Sequence, residues 1–582
     1  MSPPFDLSRP LVLNRQPVIR RRDSGQPERL PNTLPPVLRR VYAARGVDTA
    51  AALDLGLGNL LPPSALRGID EAAACLAAAI QQQRRIVIAG DYDADGATAS
   101  AVAVLGLRAL GARDVDYVVP NRFTMGYGLT TPLVVLAQER GAEVLVTVDS
   151  GIASNAGVAA AKAAGMQVLI TDHHLPGPEL PAADAIVDPN QPDCPFPSKH
   201  LAGVGVMFYV LLALRARLRS DGAFAGRSEP NLAELLDLVA LGTVADVVRL
   251  DGNNRILVAQ GLARIRAGRA RPGLMALLAA SQRSHERLTS TDLGFVLGPR
   301  LNAAGRLDDM SLGIACLLSD DFDAALPIAR QLDALNRERR NIEAQMRDAA
   351  LEQVAETDRT GVVLFEPDWH EGVVGLVASR VKDALHRPVI AFARASEAGL
   401  LKGSGRSIPG LHLRDALAAI DARYPGLITR FGGHAMAAGL ALPEEALAAF
   451  TTVFDAQCQD VLDAEALDQV IETDGELGAD EFQLDTALQI EGAGPWGQGF
   501  PEPRFEGRFW VEDLRPVGAD GQHVRYRLRS DAGASVNAVH FNGAETAVDS
   551  GPVRVVYQLC VNRFRERESL EIRIDHLLPV DD

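Results

Sequence analysis

Cysteine is scarce in this sequence, and its scarcity excludes two classes of site. The five cysteines, which lie far apart in the chain and form no CxxC pair, are Cys75, Cys194, Cys316, Cys458 and Cys560. This spacing indicates neither a zinc knuckle nor a disulfide framework. We therefore predict a protein of a reducing compartment, the cytoplasm.

Long apolar runs are also missing. No window reaches about 18 uninterrupted apolar residues, the length that a membrane-spanning helix needs. Arg20, Arg21 and Arg22 stand among prolines with no apolar segment behind them, so they do not resemble a secretion signal. We expect no membrane association and no export.

The chain lacks an excess of positive charge. Its formal net charge is −17, which argues against a protein coated by nucleic acid, although a local basic groove can bind a strand on an acidic body. Hydrophobic residues make up 47% and charged residues 23% of 582 residues, as in globular proteins. At roughly 150 residues per domain, this length predicts three to four domains.

Three carboxylates at every second position follow the first strongly apolar run. Asp91, Asp93 and Asp95 come directly after the segment 86–89, with no basic residue beside them. A calcium loop of the EF-hand type begins in the same way, but it needs a Glu at its twelfth position, where this chain has Val102. The preceding segment also reads as a strand rather than a helix. We therefore predict a metal site at the carboxyl end of a parallel strand, where open α/β sheets bind ligands.

Two further predicted strands end on acids or histidines. The run 144–148 ends on Asp149, and the run 168–171 ends on the sequence Asp172, His173, His174. Because parallel strands end at one edge of a sheet, these groups should converge with the first acids. Asp246 ends a helical pattern at 231–246; alone it would be a surface acid, and beside this cluster it becomes a ligand candidate.

Three glycine-punctuated segments are candidates for binding phosphate. We predict that 298–306 and 403–407 are loops, and that 432–439 places a histidine at the start of a helix. For 298–306, the alternative is a turn with solvated arginines. For 432–439, small residues that serve only close packing are an equally good interpretation. The polar or glycine residues that they offer are Arg300, Asn302, Arg306, Ser404, Arg406, Ser407, Gly433 and His434.

Hydrophobic periodicity divides the chain into five parts. We predict an N-terminal arm at 1–70 packed on the next domain, an α/β domain at 71–320, a helix at 321–356, a smaller α/β domain at 357–466 and a β-barrel at 467–582. In the barrel, strand alternation places Arg525, Arg527 and Arg529 on one face, and Arg563 and Arg565 repeat the pattern. These faces suit a single-strand groove, with a solvated sheet surface as the alternative.

The order of these motifs carries a resemblance. The segments 90–96, 149–151 and 172–174, followed by Asp246, resemble the four motifs of the DHH phosphoesterases. The segment 432–439 resembles the DHHA1 domain that accompanies them. Together with the long helix and the barrel, the chain from about residue 71 onwards resembles the bacterial single-strand exonucleases of this family. The resemblance implies a DHH parallel-sheet domain and a DHHA1 domain joined by a long helix, plus an OB-like barrel.

The resemblance also implies roles for individual residues. It makes Mn²⁺ or Mg²⁺, with two ions, the cofactor, and Asp149 the bridging carboxylate. The implied metal ligands are Asp93, Asp95, Asp149, His173 and Asp246; the implied catalytic residues are Asp91, His173, His174 and His434; the implied substrate-binding residues are Arg122, Arg300, Asn302, Arg306, Ser404, Arg406, Ser407 and Gly433.

The implied activity is 5′-to-3′ degradation of single-stranded DNA to 5′-mononucleotides in DNA repair and recombination. Expected partners are single-stranded DNA, a single-strand-binding protein and a recombination helicase. Two alternatives stay open at this point. One is an oligoribonuclease or dinucleotide phosphodiesterase of the same superfamily, which would have no use for the arm and the barrel. The other is a non-catalytic replication scaffold, which the complete set of acids disfavours.

Overall fold

The computed structural model describes residues 16–354, 357–518, 521–531, 533–565 and 567–580. The chain forms two compact units, and the boundary between them falls inside a long helix. The larger unit contains residues 21–333 and 472–582, and the smaller unit contains 334–471 with the described part of 1–20. No helix of the described ranges combines the length and the hydropathy needed to cross a bilayer. All five cysteines are free thiols.

A parallel five-stranded sheet forms the centre of the first part of the larger unit. The first strand of the chain, β1 (Val18–Arg21), lies outside this sheet. The strands of the sheet are β2 (Ile86–Ala89), β3 (Val115–Val118), β4 (Val144–Val148), β5 (Gln167–Thr171) and β6 (Ala185–Val187). The sheet order is β3-β2-β4-β5-β6. β2 and β4 are buried on both faces, as the uninterrupted apolar runs predict for a sheet covered on both sides. The direction of strand order reverses between β2 and β4, and this switch point is where such sheets bind ligands.

Helices cover this sheet and extend beyond it. They are α1 (Pro36–Ala43), α2 (Ile69–Gln81), α3 (Ala94–Leu110), α4 (Thr131–Glu139), α5 (Asn155–Ala163), α6 (Gly203–Ser220), α7 (Leu236–Ala245), α8 (Gly252–Arg266), α9 (Pro272–Ala280), α10 (Ser290–Asp292), α11 (Gly298–Leu307) and α12 (Ser311–Leu318). The predicted loop at 298–306 is wrong: these residues are helical, and a π-helical turn at Leu293–Leu297 precedes them. Proline near the start of a helix is compatible with helical backbone, so Pro299 does not break α11.

The long helix α13 (Phe322–Val354) leads into the smaller unit. The last two residues of the predicted helix, 355 and 356, lie outside the described residues. The smaller unit contains strands β7 (Val362–Phe365), β8 (Val389–Arg394), β9 (Leu400–Arg406), β10 (Arg430–Gly433) and β11 (Ala437–Pro443), with helices α14 (Val374–Leu385), α15 (Leu413–Arg423) and α16 (Leu447–Val461). The sheet order is β10-β11-β9-β8-β7, in which only β7 and β8 are parallel.

Two predictions for glycine-rich segments of the smaller unit are wrong. Residues 403–406 form part of strand β9 rather than a loop, because β8 and β11 pair with both of its edges. A Cβ at Gly403 would lie 2.5 Å from the ring of Phe392, so close packing under the sheet requires glycine there. Residues 432–439 form the hairpin of β10 and β11, and His434 lies in its turn rather than at a helix start.

A closed β-barrel completes the larger unit, as predicted. After β12 (Val470–Thr473) and α17 (Leu484–Gly492), its strands are β13 (Phe505–Val517), β14 (His523–Ser530), β15 (Ser535–His540), β16 (Gly551–Phe564) and β17 (Arg567–Pro579). They close in the order β13-β14-β15-β17-β16. Val524, Tyr526 and Leu528 point into the barrel, which leaves the alternate arginines of β14 on the outside.

The N-terminal segment contacts residues that lead into the barrel, besides its neighbours in the sequence. Arg45 and Asp474 form a two-pronged ion pair with nitrogen–oxygen distances of 2.7 and 3.0 Å, and neither side chain is more than 1% exposed. The hydroxyl of Tyr42 donates to the Ala493 carbonyl at 2.8 Å, and its ring stacks on Trp496. Within the larger unit, the N-terminal segment is therefore held against the segment that leads into the barrel.

Candidate metal centre

The acidic loop after β2 is held by the start of two helices. Asp93 caps α3, because its Oδ1 accepts hydrogen bonds from the amides of Asp95 at 2.9 Å and Gly96 at 3.0 Å. Asp95 turns inward, and its two carboxylate oxygens accept from the amides of Gly203 at 2.6 Å and Val204 at 3.0 Å, at the start of α6. Helix N-termini stabilise negative charge, so both helices support the acidic loop.

Asp149 occupies a backbone conformation that few non-glycine residues adopt. Its φ is 60°, and it lies at the end of β4, where the chain turns sharply. A Cβ at Gly203 would lie 2.5 Å from the Cβ of Asp149, so α6 can approach only because residue 203 is glycine. Strained backbone of this kind is often found at functional sites, where the surrounding structure maintains it.

Asp172 orients the two histidines that follow it. Its Oδ1 lies 2.7 Å from the amide nitrogen of His173, 3.1 Å from that of His174 and 2.7 Å from Nδ1 of His174. Its Oδ2 accepts from the amide of Ile152 at 2.8 Å. Both oxygens of this buried carboxylate therefore hold the loops after β4 and β5 in place.

His173 brings the acids of different strands together. Its Nε2 lies 3.0 Å from Oδ1 of Asp149 and 3.5 Å from Oδ2 of Asp246, the residue that ends α7. Three sets of ligand atoms each lie within 4.8 Å of one another: Asp149 with His173 and His174, Asp95 with His173 and Asp246, and Asp91 with Asp93 and Asp149. The structure thus brings together every acid and imidazole that the sequence placed at this sheet edge.

The carboxylates of the cluster lie close enough to raise the pKa of one another. Burial, and then the charge of Asp93, raise the pKa of Asp91 to about 8 and the pKa of Asp95 to about 7. Burial and the neighbouring Asp95 likewise raise the pKa of Asp149 and of Asp246 well above the ordinary value of a carboxyl group. Buried carboxylates this close to one another repel when ionised, so the charged forms require cations beside them.

The pKa of His174 is also raised, but for an imidazole this favours the charged form. Although burial alone would lower the pKa of this imidazole, the hydrogen bond to Asp172 and the surrounding acids raise its pKa to about 9. Burial would raise the pKa of Asp172, yet its hydrogen bonds, above all with His174, hold its pKa below the ordinary value. The pair is therefore an imidazolium bound to a carboxylate.

The donor set fits a hard divalent cation. Oδ1 of Asp91 is buried and accepts no hydrogen bond from any described residue, as expected for an oxygen whose partner is a metal ion. Carboxylate oxygens with one or two imidazoles favour Mn²⁺ or Mg²⁺ over zinc, which prefers thiolate or more nitrogen. The residues present therefore fit the predicted metal.

The predicted phosphate ligands of the larger unit differ in what they offer. The guanidinium of Arg122 lies over the ring of Tyr92, 4.1 Å from its centroid, beside the acidic loop. Arg306 is half-buried near the end of α11. Arg300 instead contacts Asp333 at 2.8 Å and donates to the Val296 carbonyl at 2.6 Å, and the amide oxygen of Asn302 accepts from the Ala94 amide at 2.8 Å. Arg300 and Asn302 thus have partners within the protein, and their roles toward substrate stay predictions.

The smaller unit contains the remaining predicted substrate ligands. Arg406 donates to the hydroxyl of Ser404 at 3.1 Å, so these two side chains form one polar group on β9. Ser407 is 1% exposed and donates to the Leu411 carbonyl at 2.8 Å, and its role toward substrate stays a prediction. Gly433 and the exposed His434 lie in the β10–β11 hairpin, and their roles toward substrate stay predictions.

Sequence reasoning missed three residues at this sheet edge. The hydroxyl of Tyr127 lies 3.2 Å from Nε2 of His174. Asp188 ends β6, and burial followed by the charge of Asp172 raises its pKa to about 8. Asn190 donates to the His173 carbonyl at 2.6 Å. Asp188 could have been found, since it too ends a strand of the sheet; Tyr127 and Asn190 lie in loops without any such signal.

Comparison with known proteins agrees with these observations. Family models match residues 85–243 as the DHH family, N-terminal domain, 358–460 as the DHHA1 domain and 473–576 as the RecJ OB domain. A "single-stranded-DNA-specific exonuclease RecJ" of Dickeya dadantii is 52% identical over 97% of this chain and 99% of its own length.

Solved structures give the same result. A crystal structure of RecJ in complex with Mn²⁺ from Thermus thermophilus is 32% identical, with a TM-score of 0.82 over 97% of this chain and 80% of that one. The complex with Mg²⁺ from the same organism is 31% identical, with a TM-score of 0.76 over 97% of this chain and 79% of that one. The predicted fold class is confirmed, and the chain belongs to the RecJ family of the DHH superfamily.

Proposed function

We propose that this protein is a metal-dependent exonuclease that degrades single-stranded DNA from its 5′ end and releases 5′-mononucleotides. The observation that carries this proposal is the uncompensated acid cluster at the switch point of the parallel sheet. Such a cluster has no structural use, because its self-repulsion weakens the fold. The names of the relatives supply the substrate, single-stranded DNA.

Two divalent cations are the proposed cofactors. We assign Asp93, Asp95, Asp149, His173 and Asp246 as the residues that would hold them. When bound, such ions stabilise the charge of phosphoryl oxygens and make a water molecule more acidic. Asp172 and Asn190 fix the position of His173, which needs a constant distance to Asp149 and Asp246.

Three side chains near this cluster have proposed roles toward the phosphate. Arg122 provides a guanidinium for phosphate oxygens, and its stacking on Tyr92 restricts the orientation of the fork. The hydrogen bond to Asp172 raises the pKa of His174 against the effect of burial, so this imidazole can carry a proton and donate it to a phosphate oxygen. The closed barrel supports a polymer as the substrate, because a dinucleotide would not extend to it.

A single-strand-binding protein and a recombination helicase are the protein partners that we propose, in the cytoplasm. These proposals rest on the substrate alone, since both kinds of protein act on single strands. Ser404, Arg406, Gly433 and His434 are proposed substrate ligands on the strength of the family resemblance.

The direction and the products can be tested with labelled strands. The purified protein is given single-stranded DNA labelled at the 5′ or at the 3′ end, a blunt duplex and a dinucleotide, each with Mn²⁺, Mg²⁺ or EDTA. We expect early release of labelled mononucleotide only from the 5′-labelled single strand, and none with EDTA. Release from the 3′ end first, or equal degradation of the duplex, would refute the proposal. Preference for the dinucleotide would favour the alternative enzyme class.

A further inference from the structure

The larger unit contains a cavity that shares no residue with the metal centre. It has a volume of about 470 Å³ and lies between the segment 45–61, the start of α8 and the residues Gly499 and Phe500. This volume lies within the range of small-molecule sites, which is about 300–1,000 Å³. Leu55, Leu61 and Ile256 contribute apolar walls.

The cavity wall contains a buried cation without an anionic partner. Arg255 is 3% exposed, and its guanidinium forms no ion pair and no hydrogen bond with any described residue. Its guanidinium lies over the ring of Phe500, 4.0 Å from the centroid. Burial lowers the pKa of Arg255, although an arginine stays charged at neutral pH. A buried charge without a counter-ion is costly, so its presence calls for an explanation.

A second buried donor lines the same cavity. Asn253 is 6% exposed, and its Oδ1 accepts from the amide of Leu61 at 3.1 Å and from the hydroxyl of Tyr209 at 2.8 Å. These two donors fix which side of the amide is oxygen. The opposite atom, Nδ2, is buried and has no partner among the described residues. Arg255 and Asn253 both line the cavity, and each has a donor atom without a partner among the described residues.

Arg249 adds positive potential. It is exposed, lines the cavity and makes no ion pair in the described chain. The N-terminus of α8 adds none, because the carboxylate of Asp251 already caps that helix and accepts from the Asn254 amide.

The other charged groups that face the cavity are already engaged. Arg45 is neutralised by Asp474. Oδ1 of Asp251 accepts from the amide of Asn254 at 3.0 Å, and its Oδ2 accepts from the hydroxyl of Ser198 at 2.6 Å. Asp54 binds the amide of Gly56 at 2.9 Å and lies at the exposed side. The donors left over are thus those of Arg249, Asn253 and Arg255.

We propose that this cavity binds a small phosphorylated molecule of about nucleotide size, whose phosphate contacts Arg249, Asn253 and Arg255. Guanidinium groups bind phosphate with two parallel hydrogen bonds, and the adjacent apolar walls accommodate an organic group. Inorganic phosphate would fill only a small part of the volume. The proposal goes beyond the proposed exonuclease function and does not depend on it.

Calorimetric titration of the full-length protein tests this site. The probes are deoxyadenosine 5′-monophosphate, deoxyadenosine and inorganic phosphate. EDTA and the background substitutions Arg122→Ala and Arg406→Ala remove the phosphate binding expected from the metal centre and from the proposed substrate ligands. We expect one binding site for the monophosphate and weaker binding of both other probes. Arg249→Gln and Arg255→Met should each weaken binding of the monophosphate about tenfold or more, because a charge-assisted hydrogen bond is lost.

Arg264→Gln is the matched control, since this arginine lies on the same helix and does not line the cavity. It should bind the monophosphate as the parent does. Without ligand, the melting temperature of Arg255→Met should equal or exceed that of the parent, because a buried unpaired charge is removed. The monophosphate should raise the melting temperature of the parent and not that of this variant.

Three results would overturn the proposal. They are no binding of the monophosphate at millimolar concentration, equal affinity for deoxyadenosine, and equal affinity of Arg249→Gln and Arg264→Gln for the monophosphate. If Arg255→Met fails to fold, Arg249→Gln still decides, because Arg249 is exposed and its substitution does not disturb the core. Nuclease activity is measured separately, so failure of this site is distinguishable from failure of the proposed function.

Discussion

The sheet edge and the barrel surface both concentrate charge, but the protein treats the two regions in opposite ways. At the sheet edge, Asp91, Asp95 and Asp149 are buried, Asp246 is half-buried beside them, and all four have raised pKa values. On the barrel, Arg525, Arg527, Arg529 and Arg563 are paired with glutamates of the protein itself, whereas Arg565 makes no ion pair within the described residues and lies over the ring of Phe564.

The pairs on the barrel are specific. Glu512 lies 3.5 Å from Arg527 and 3.3 Å from Arg529, and Glu571 lies 3.1 Å from Arg525. Arg563 contacts Glu491 at 2.7 Å and Glu568 at 2.9 Å. A charge pattern that the fold leaves uncompensated indicates a ligand, whereas a compensated one is weak evidence for a binding surface. The sequence shows both patterns and does not distinguish them.

The largest effect is expected from removing an acid at the sheet edge. Asp149→Ala should lower the rate of hydrolysis at least about 10³-fold, since metal binding contributes several kcal/mol to catalysis. In EDTA, its melting temperature should equal or exceed that of the parent, because repulsion between carboxylates falls. Hydrolysis rates and thermal melts measure both effects. Asp114→Ala, on the surface of the same unit, is the control. Ordinary turnover by Asp149→Ala would show that the acids of the sheet edge do not hold a catalytic metal ion.

A strong pH dependence should follow from the raised pKa values. Because Asp91 titrates in the folded state near pH 8 and Asp95 near pH 7, the metal-free protein binds more protons than the unfolded chain between about pH 4 and 8. Its stability should therefore fall as the pH rises through this window. Mn²⁺ displaces these protons, so its affinity should rise by up to about tenfold per pH unit for each proton released. Titration of Mn²⁺ at pH 6, 7 and 8 measures this; a pH-independent affinity would contradict the assignment.

A smaller effect is expected from Asp172, which contacts the two histidines and is not a predicted metal ligand. Asp172→Asn should weaken Mn²⁺ binding about 10-fold to 100-fold, the usual effect of removing a group that orients a ligand. The pKa of His174 should fall, because its charged partner is lost. NMR titration of the imidazole and calorimetry with Mn²⁺ test the two statements. Unchanged values for both would show that the histidines are oriented by other contacts.

The smallest effect concerns the barrel. A phosphate contact on a single strand contributes about 0.7 to the slope of log affinity against log salt. Because Arg527 and Arg529 are paired with Glu512, we expect their joint replacement by Gln to change the slope by less than about 0.7, and Glu512→Gln to steepen it. Binding of a long single strand by catalytically inactive protein measures this. A change of about 1.4 in the slope would mean that both arginines leave Glu512 and contact phosphates of the DNA. The barrel would then be a ligand-binding surface, as the sheet edge is.

Substitution is a better test of the barrel than truncation near residue 467. Removing the later residues would also remove Asp474 and Trp496, and Arg45 would lose its partner inside the larger unit. A loss of DNA binding would then report partial unfolding rather than lost contacts.

Much of the fold followed from local patterns. β2 and β4 are apolar on both faces, and parallel strands end at one edge, so the meeting of Asp93, Asp149 and His173 could be predicted. β9 could not, because its run of Gly and Ser has no strand preference of its own; it is a strand since β8 and β11 pair with it. Local sequence also does not reveal that Glu512 would lie within ion-pair distance of two arginines of a neighbouring strand.

The buried pair of Arg45 and Asp474 has a consequence for synthesis of the chain. A ribosome makes Arg45 more than 400 residues before its partner, and residues 334–471, which are most of the smaller unit, emerge in between. Domains generally fold as they emerge. The smaller unit can therefore be complete while a cationic side chain and the ring of Tyr42 still await the segment that covers them. During that interval the nascent larger unit exposes a surface that a chaperone could hold.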